Sequence, residues 1–193
     1  MDYVEALLKK TRTTLVFSVD EPKIEGNKVG GYFSDEDNEI VITSKDGWDE
    51  ILVHEFCHYL QCKEKSKYWT NLDIDNTNCL DLMWKWLNNE IELSKPKLDM
   101  IFARVRDMEL DCERRTVKLI KQFNMTIDIK EYICQANIYI YYYNYAKVTR
   151  KWFPSDIGPS NMDKLFPLMP RSMSGPRSKM TDEIHKSFGF YFS

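Results

Sequence analysis

The spacing of apolar and polar residues divides the chain into a short β-rich front and a long helical remainder. Residues 3–10 predict a short helix. The run Thr13-Thr14-Leu15-Val16-Phe17-Ser18-Val19 is β-branched and aromatic and predicts a strand. Tyr32-Phe33 and Glu39-Ile40-Val41-Ile42-Thr43 flank Ser34-Asp35-Glu36-Asp37-Asn38, the pattern of a hairpin with an acidic turn. The period then lengthens. A helix opens near Ser44 to Gly47 and runs to about Lys63, with Ile51, Leu52, Phe56, Tyr59 and Leu60 as its apolar positions. A second covers Asn78 to Ile91. A third begins after Ser94, with Pro96 in its first turn, where a missing N–H costs little, and reaches about Phe123. A fourth, rich in tyrosine, spans Ile129 to Arg150. Beyond Pro154 the pattern degrades: Pro159, Pro167, Pro170 and Pro176 punctuate the chain, Arg171 to Lys179 reads as a flexible linker, and 181–192 as a short helix or docked tail. There is no repeat and no low-complexity tract.

The expected architecture is therefore α+β: a small, mostly antiparallel N-terminal sheet followed by a helical bundle that carries the chemistry. Residues 1–170 read as one domain and 171–193 as linker and C-terminal tail.

The chemistry centres on the first long helix, which carries His54-Glu55-Phe56-Cys57-His58. Four residues advance a helix by about 400°, so His54 and His58 lie one turn apart on one face and can converge on a single metal ion. Glu55 sits about 100° round, close enough to serve a metal-activated water as general base without being a ligand. The chain has only 3 histidines, and two of them are in this motif. Cys57 projects away from the ligand face and reads as a packed thiol.

A catalytic zinc usually takes three protein ligands and leaves one position open. On the third helix, Leu98, Ile101, Phe102, Val105, Cys112, Leu119, Ile120 and Phe123 form one apolar stripe. Glu109 falls near its centre, in line with Val105, Cys112 and Thr116, whereas Asp107 and Asp111 point elsewhere. A carboxylate on a core-facing stripe is costly unless paired or coordinated, which nominates Glu109 as third ligand. Glu113, one turn on, is placed to accept a hydrogen bond from a ligating histidine. The competing reading pairs Glu109 and Glu113 with Arg106, Arg114 or Arg115 in an ordinary salt-bridge network. His185 follows the linker and reads as a solvated histidine.

Composition narrows the field. Apolar residues make up 43% of the 193, enough for a sizeable core, so general disorder is excluded. Lys plus Arg number 27 against 30 Asp plus Glu, so the formal charge is -3, and nothing in it favours nucleic acid or an anionic membrane as partner. No apolar run approaches the ~20 residues of a membrane span. The acidic N-terminus is unlike a secretory signal. The 5 cysteines, odd in number and widely spaced, read as reduced thiols of a cytoplasmic protein. Scarce glycine with abundant Lys, Ile, Asn and Tyr hints at an AT-rich, phage-like genome.

With His54-Glu55-x-x-His58 and Glu109-x-x-x-Glu113 together, the chain resembles the gluzincins. That resemblance implies one Zn2+ per chain held by His54, His58 and Glu109, with Glu55 as general base and Glu113 supporting a histidine; a glutamate there departs from the aspartate more usual in the group. Glu39-Ile40-Val41-Ile42 followed by Ile51-Leu52-Val53-His54-Glu55-Phe56-Cys57-His58 is similar to the strand-then-helix start of minimal cytosolic zincins, the SprT-like and IrrE/ImmA-like groups. Glu109 to Arg115, and Tyr141-Tyr142-Tyr143 through Arg150-Lys151-Trp152, are similar to small phage metallopeptidases. The implied activity is zinc-dependent endoproteolysis of a peptide or protein substrate, in a zincin-like fold and in the host cytoplasm if phage-encoded. The alternatives are a catalytically silent zincin-fold module that binds a phage or host protein, and a metal-free protein with a chance motif. The tyrosines 132, 139, 141–143 and 145, or Arg150, can supply an oxyanion donor or simply pack.

Overall fold

A computed structural model describes residues 2–24, 26–153 and 157–192. It is α+β, with a small N-terminal sheet and a helical C-terminal part. The chain folds as two compact units. The first takes in the chain up to Thr70 together with Cys112–Ile127; the second takes in Asn71–Asp111 and the chain from Asp128 on.

In the first unit, helix α1 (Asp2–Lys10) leads into a three-stranded sheet ordered β1 (Thr14–Ser18), β5 (Glu39–Thr43), β4 (Gly31–Ser34). A small ladder of β2 (Lys23–Ile24) and β3 (Asn27–Lys28) lies between β1 and β4 in sequence. The β4–β5 hairpin is antiparallel, pairing Gly31 with Ile42 and Ser34 with Glu39 across the acidic turn. β1, however, pairs parallel with β5, Thr14 opposite Glu39 and Ser18 opposite Thr43. The three-stranded sheet is thus mixed rather than mostly antiparallel. Parallel pairing needs a long crossover, which leaves no turn signature between the two strands to read. β5, the central strand, is buried from Ile40 to Thr43, as expected of a strand covered on both faces.

Helix α2 (Trp48–Lys63) follows β5 and packs on β4 and β5, so the motif helix belongs with the sheet and not with a separate bundle. Gly47 opens it in the left-handed region (φ 81°), and Asp49 and Glu50 complement its N-terminal dipole. β4 passes close beneath it. A Cβ on Gly31 would fall 2.7 Å from both the Ile51 side chain and the Val41 carbonyl, so only glycine fits. Leu52, Val53, Phe56 and Tyr59 are buried on the helix, with Phe33 of β4 edge-on to Tyr59. A short helix α3 (Lys67–Thr70) sets Trp69 against Phe33 and His58.

In the second unit, a two-residue hairpin joins β6 (Asp73–Ile74) to β7 (Thr77–Asn78). Asp75 and Asn76 both adopt positive φ, as the twist of a tight hairpin requires. The Asn78 side chain caps α4 (Cys79–Leu87), and Asp128 caps α6 (Ile129–Thr149). α5 (Lys95–Gln122) contributes its first part to this unit and its last three turns to the other. α6 is buried almost all round; Tyr142 sits within a ring cluster of Trp152, Phe153, Phe188 and Phe192. Two 3-10 turns (Pro159–Asn161 and Asp163–Leu168) and helix α7 (Asp182–Tyr191) complete it.

The segment read from sequence as a flexible linker is docked on α6. Arg177 is only 4% exposed. Its guanidinium donates to Asn137 Oδ1 (2.6 Å) and to the carbonyls of Ser172 (2.7 Å) and Ser174 (2.8 Å), and Asn144 donates to its carbonyl (2.7 Å). Among the described residues no helix is long and apolar enough to cross a membrane.

Candidate metal centre

Helix α2 brings the two motif histidines together as their spacing requires. Their Nε2 atoms lie 3.1 Å apart, with ring centroids at 4.8 Å and planes at 80°. Each ring is also held at its other nitrogen. His58 Nδ1 meets Gln61 Oε1 at 2.9 Å, and His54 Nδ1 meets Glu113 Oε1 at 3.2 Å. Gln61 and Glu113 are both buried. With both Nδ1 atoms protonated toward these oxygens, each Nε2 presents its lone pair toward the other. Two lone pairs at that distance repel. The arrangement calls for positive charge between them, either a proton shared with one ring or a metal ion. Two imidazoles on one tetrahedral zinc, each about 2.0–2.1 Å from it, place their nitrogens about 3.3 Å apart. The donor set therefore fits a zinc ion.

Glu113 comes from the last turns of α5, and its Oε1 lies 3.2 Å from His54 Nδ1. Of the arginines in the competing reading, Arg115 pairs with Glu64 at 2.7 Å, and Arg106 with Asp107 at 2.8 Å and Asn144 at 3.0 Å. Glu55 is 7% exposed on α2. Trp69 lies with its ring centroid 6.1 Å from that of His58.

His54, His58 and Cys112 form a group whose ligand atoms all lie within 4.8 Å of one another and can hold a metal ion. The position of the thiol within that group matters. Cys112 Sγ donates to the His54 carbonyl at 3.2 Å and lies 3.7 Å from His54 Nδ1, the nitrogen turned toward Glu113. It therefore lies beside the His54 ring, within ligand range of both histidines. Cys57 is wholly buried, its thiol against Cys112 and Thr116 of α5, and all five cysteines are free.

Glu109 is buried on α5, one turn ahead of Glu113, and belongs to the second unit. There its Oε1 accepts a hydrogen bond from the Tyr143 hydroxyl at 3.4 Å. Burial, then the neighbouring Glu109 charge, pushes the Tyr143 hydroxyl well above its ordinary pKa, so it stays protonated and donates. Tyr139 hydrogen-bonds the same hydroxyl at 2.8 Å. Arg150 is a tether: it ends α6 in the left-handed region (φ 55°) and donates to the carbonyls of Trp86 (2.7 Å) and Ile91 (2.9 Å). His185 rests half-buried against Tyr145.

Gln61 is the residue that the sequence reading missed. Its signal was present: it stands three residues after His58 on the same helix, the spacing at which side chains meet on one face. A glutamine carries no metal chemistry of its own, so no motif drew attention to it.

No protein-family model, no curated protein and no solved structure matches this chain.

Proposed function

We propose that the chain is a zinc-dependent endopeptidase that hydrolyses peptide bonds in a protein substrate. The observation that carries this reading is the pair of Nε2 atoms 3.1 Å apart, each ring locked from behind by Gln61 or Glu113. Buried oxygens at the outer ring nitrogens are what a histidine metal site uses to fix tautomer and orientation. A merely structural pair of core histidines has no need to turn both lone pairs inward.

When bound, zinc lowers the pKa of a coordinated water and polarises a carbonyl oxygen. The protein supplies the rest. His54 and His58 hold the ion. Glu113 and Gln61 keep both Nδ1 atoms protonated and both rings fixed. Glu55, next to His54 on α2, takes the proton of the attacking water and passes it to the leaving nitrogen. We assign the third ligand to Glu109, one turn of α5 ahead of Glu113, and keep Cys112, grouped with the two histidines, as the alternative.

The test is to load the purified chain with zinc and follow cleavage of an unfolded, fluorescently labelled protein. Cleavage should appear, stop with a chelator and return with zinc. No cleavage by zinc-loaded protein would overturn the enzyme reading and leave a silent metal-binding module. In the same preparation, Glu109→Ala should weaken zinc binding by about a hundredfold or more, and Cys112→Ala by only a few-fold. The reverse outcome would make Cys112 the third ligand.

A further inference from the structure

The far edge of the sheet carries a second surface, independent of the metal centre. β1 is an edge strand: it pairs with β5 on one side, and no strand pairs with its other side among the described residues. The hydrogen bonds fix which groups face outward. Thr14 N–H donates to the Asn38 carbonyl and Ser44 N–H to the Ser18 carbonyl, so positions 14, 16 and 18 turn their main-chain groups toward β5. Positions 15 and 17 turn theirs away. The strand is also apolar where water reaches it: Phe17 is 50% exposed, Val19 85%, and Val16 is partly exposed. Phe17 is anchored edge-on against Trp48, the first residue of α2, and so is held in place.

Edge strands are normally blunted by charge, proline or a bulge, and this one is not. Its charges sit at its two ends, exposed and of opposite sign: Arg12 before it and Asp20 after it. Glu21, the next acid, is already engaged with Lys28 and Lys45.

We propose that β1 is a homodimerisation edge, on which a second copy of this chain lays its own β1 antiparallel about a two-fold axis at Val16. The register follows from the groups that face outward. Main-chain bonds between partners need positions 15 and 17 opposite each other, which pairs Leu15 with the partner's Phe17 on one face. Val16 then meets the partner's Val16 on the other face. The same register sets Arg12 opposite the partner's Asp20, twice by symmetry. Two three-stranded sheets become one of six strands. The charges choose this occupant: a strand with a positive start and a negative end complements an antiparallel copy of itself, and opposes a parallel one. Pairing five residues buries little surface, so the dimer is weak, with a dissociation constant on the order of micromolar to tens of micromolar.

Sedimentation equilibrium of the full chain from about one to several hundred micromolar tests this. A monomer–dimer equilibrium is expected. Arg12→Asp and Asp20→Arg should each weaken it by about tenfold or more at low salt, because two like-charge contacts replace two attractive ones. The double exchange should restore it. Phe17→Lys should abolish it, with circular dichroism confirming that each variant is folded. A chain that stays monomeric throughout overturns the proposal. So does a dimer indifferent to the charge exchanges and to Phe17→Lys, which would place the contact elsewhere. Neither readout depends on zinc or on hydrolysis, so it stands or falls apart from the peptidase reading.

Discussion

Glu55→Gln is expected to lower hydrolysis by about a thousandfold while leaving zinc bound at one ion per chain, since general-base contributions run from about a hundredfold to ten-thousandfold. The amide has the size and shape of the carboxylate, so α2 keeps its packing. It cannot take a proton, so only the chemical step should suffer. Glu55 is not placed as a ligand, and His54 and His58 keep their rear partners Glu113 and Gln61 in this variant. The informative quantity is the split: kcat collapses while KM and zinc content stay near wild type. Equal rates in the two proteins would remove Glu55 from the mechanism. Loss of zinc together with activity would mean that Glu55 holds the ion rather than acting on the water.

The second large effect is on stability. Arg177→Ala should destabilise the unit built on α6 by about 3 kcal/mol, a shift in Tm on the order of 10 °C. The guanidinium satisfies Asn137 Oδ1 and several carbonyls of residues 172–176 at once, in a place water scarcely reaches. Truncation leaves those acceptors buried with their donor gone, and the cost of an abandoned buried acceptor exceeds the net worth of the bond itself. Arg177→Lys should recover less than half of the loss, because an ammonium cannot reproduce the planar fork. Thermal unfolding followed by the near-ultraviolet tyrosine signal reports on α6 directly, since it carries Tyr139, Tyr141, Tyr142, Tyr143 and Tyr145. An unchanged midpoint for Arg177→Ala would show that residues 171–179 contribute nothing to this unit.

What could be read from the sequence was whatever is local. The hairpin announced itself through the acidic turn between two apolar runs. Helices α2, α5 and α6 followed from periodicity and capping residues, and the convergence of His54 and His58 from helical geometry alone. Glu109 was singled out because a carboxylate on an apolar stripe needs a reason to be there, and Glu113 because it lies one turn further on. Distant pairings were hidden. Nothing in Thr14 to Ser18 says that its partner is Glu39 to Thr43, or that the two run parallel. The proline-, glycine- and serine-rich run at 171–179 has the composition of a linker. It is ordered by one arginine reaching an asparagine 40 positions earlier, a contact that composition cannot express. Gln61 was hidden differently: its spacing was visible, but its residue type suggested no role.

Two imidazoles of α2, fixed from behind by a carboxylate and an amide, are proposed to form a preorganised site for one zinc ion. Metal analysis of the purified chain, joined to competition titration against a chromophoric chelator, tests it most directly. Wild type should retain one zinc per chain with a dissociation constant in the nanomolar range or below, and the His54→Ala, His58→Ala double variant should lose about a thousandfold or more in affinity while remaining folded. A wild-type chain that takes up no zinc, or a double variant that binds it as tightly, would rule out this site.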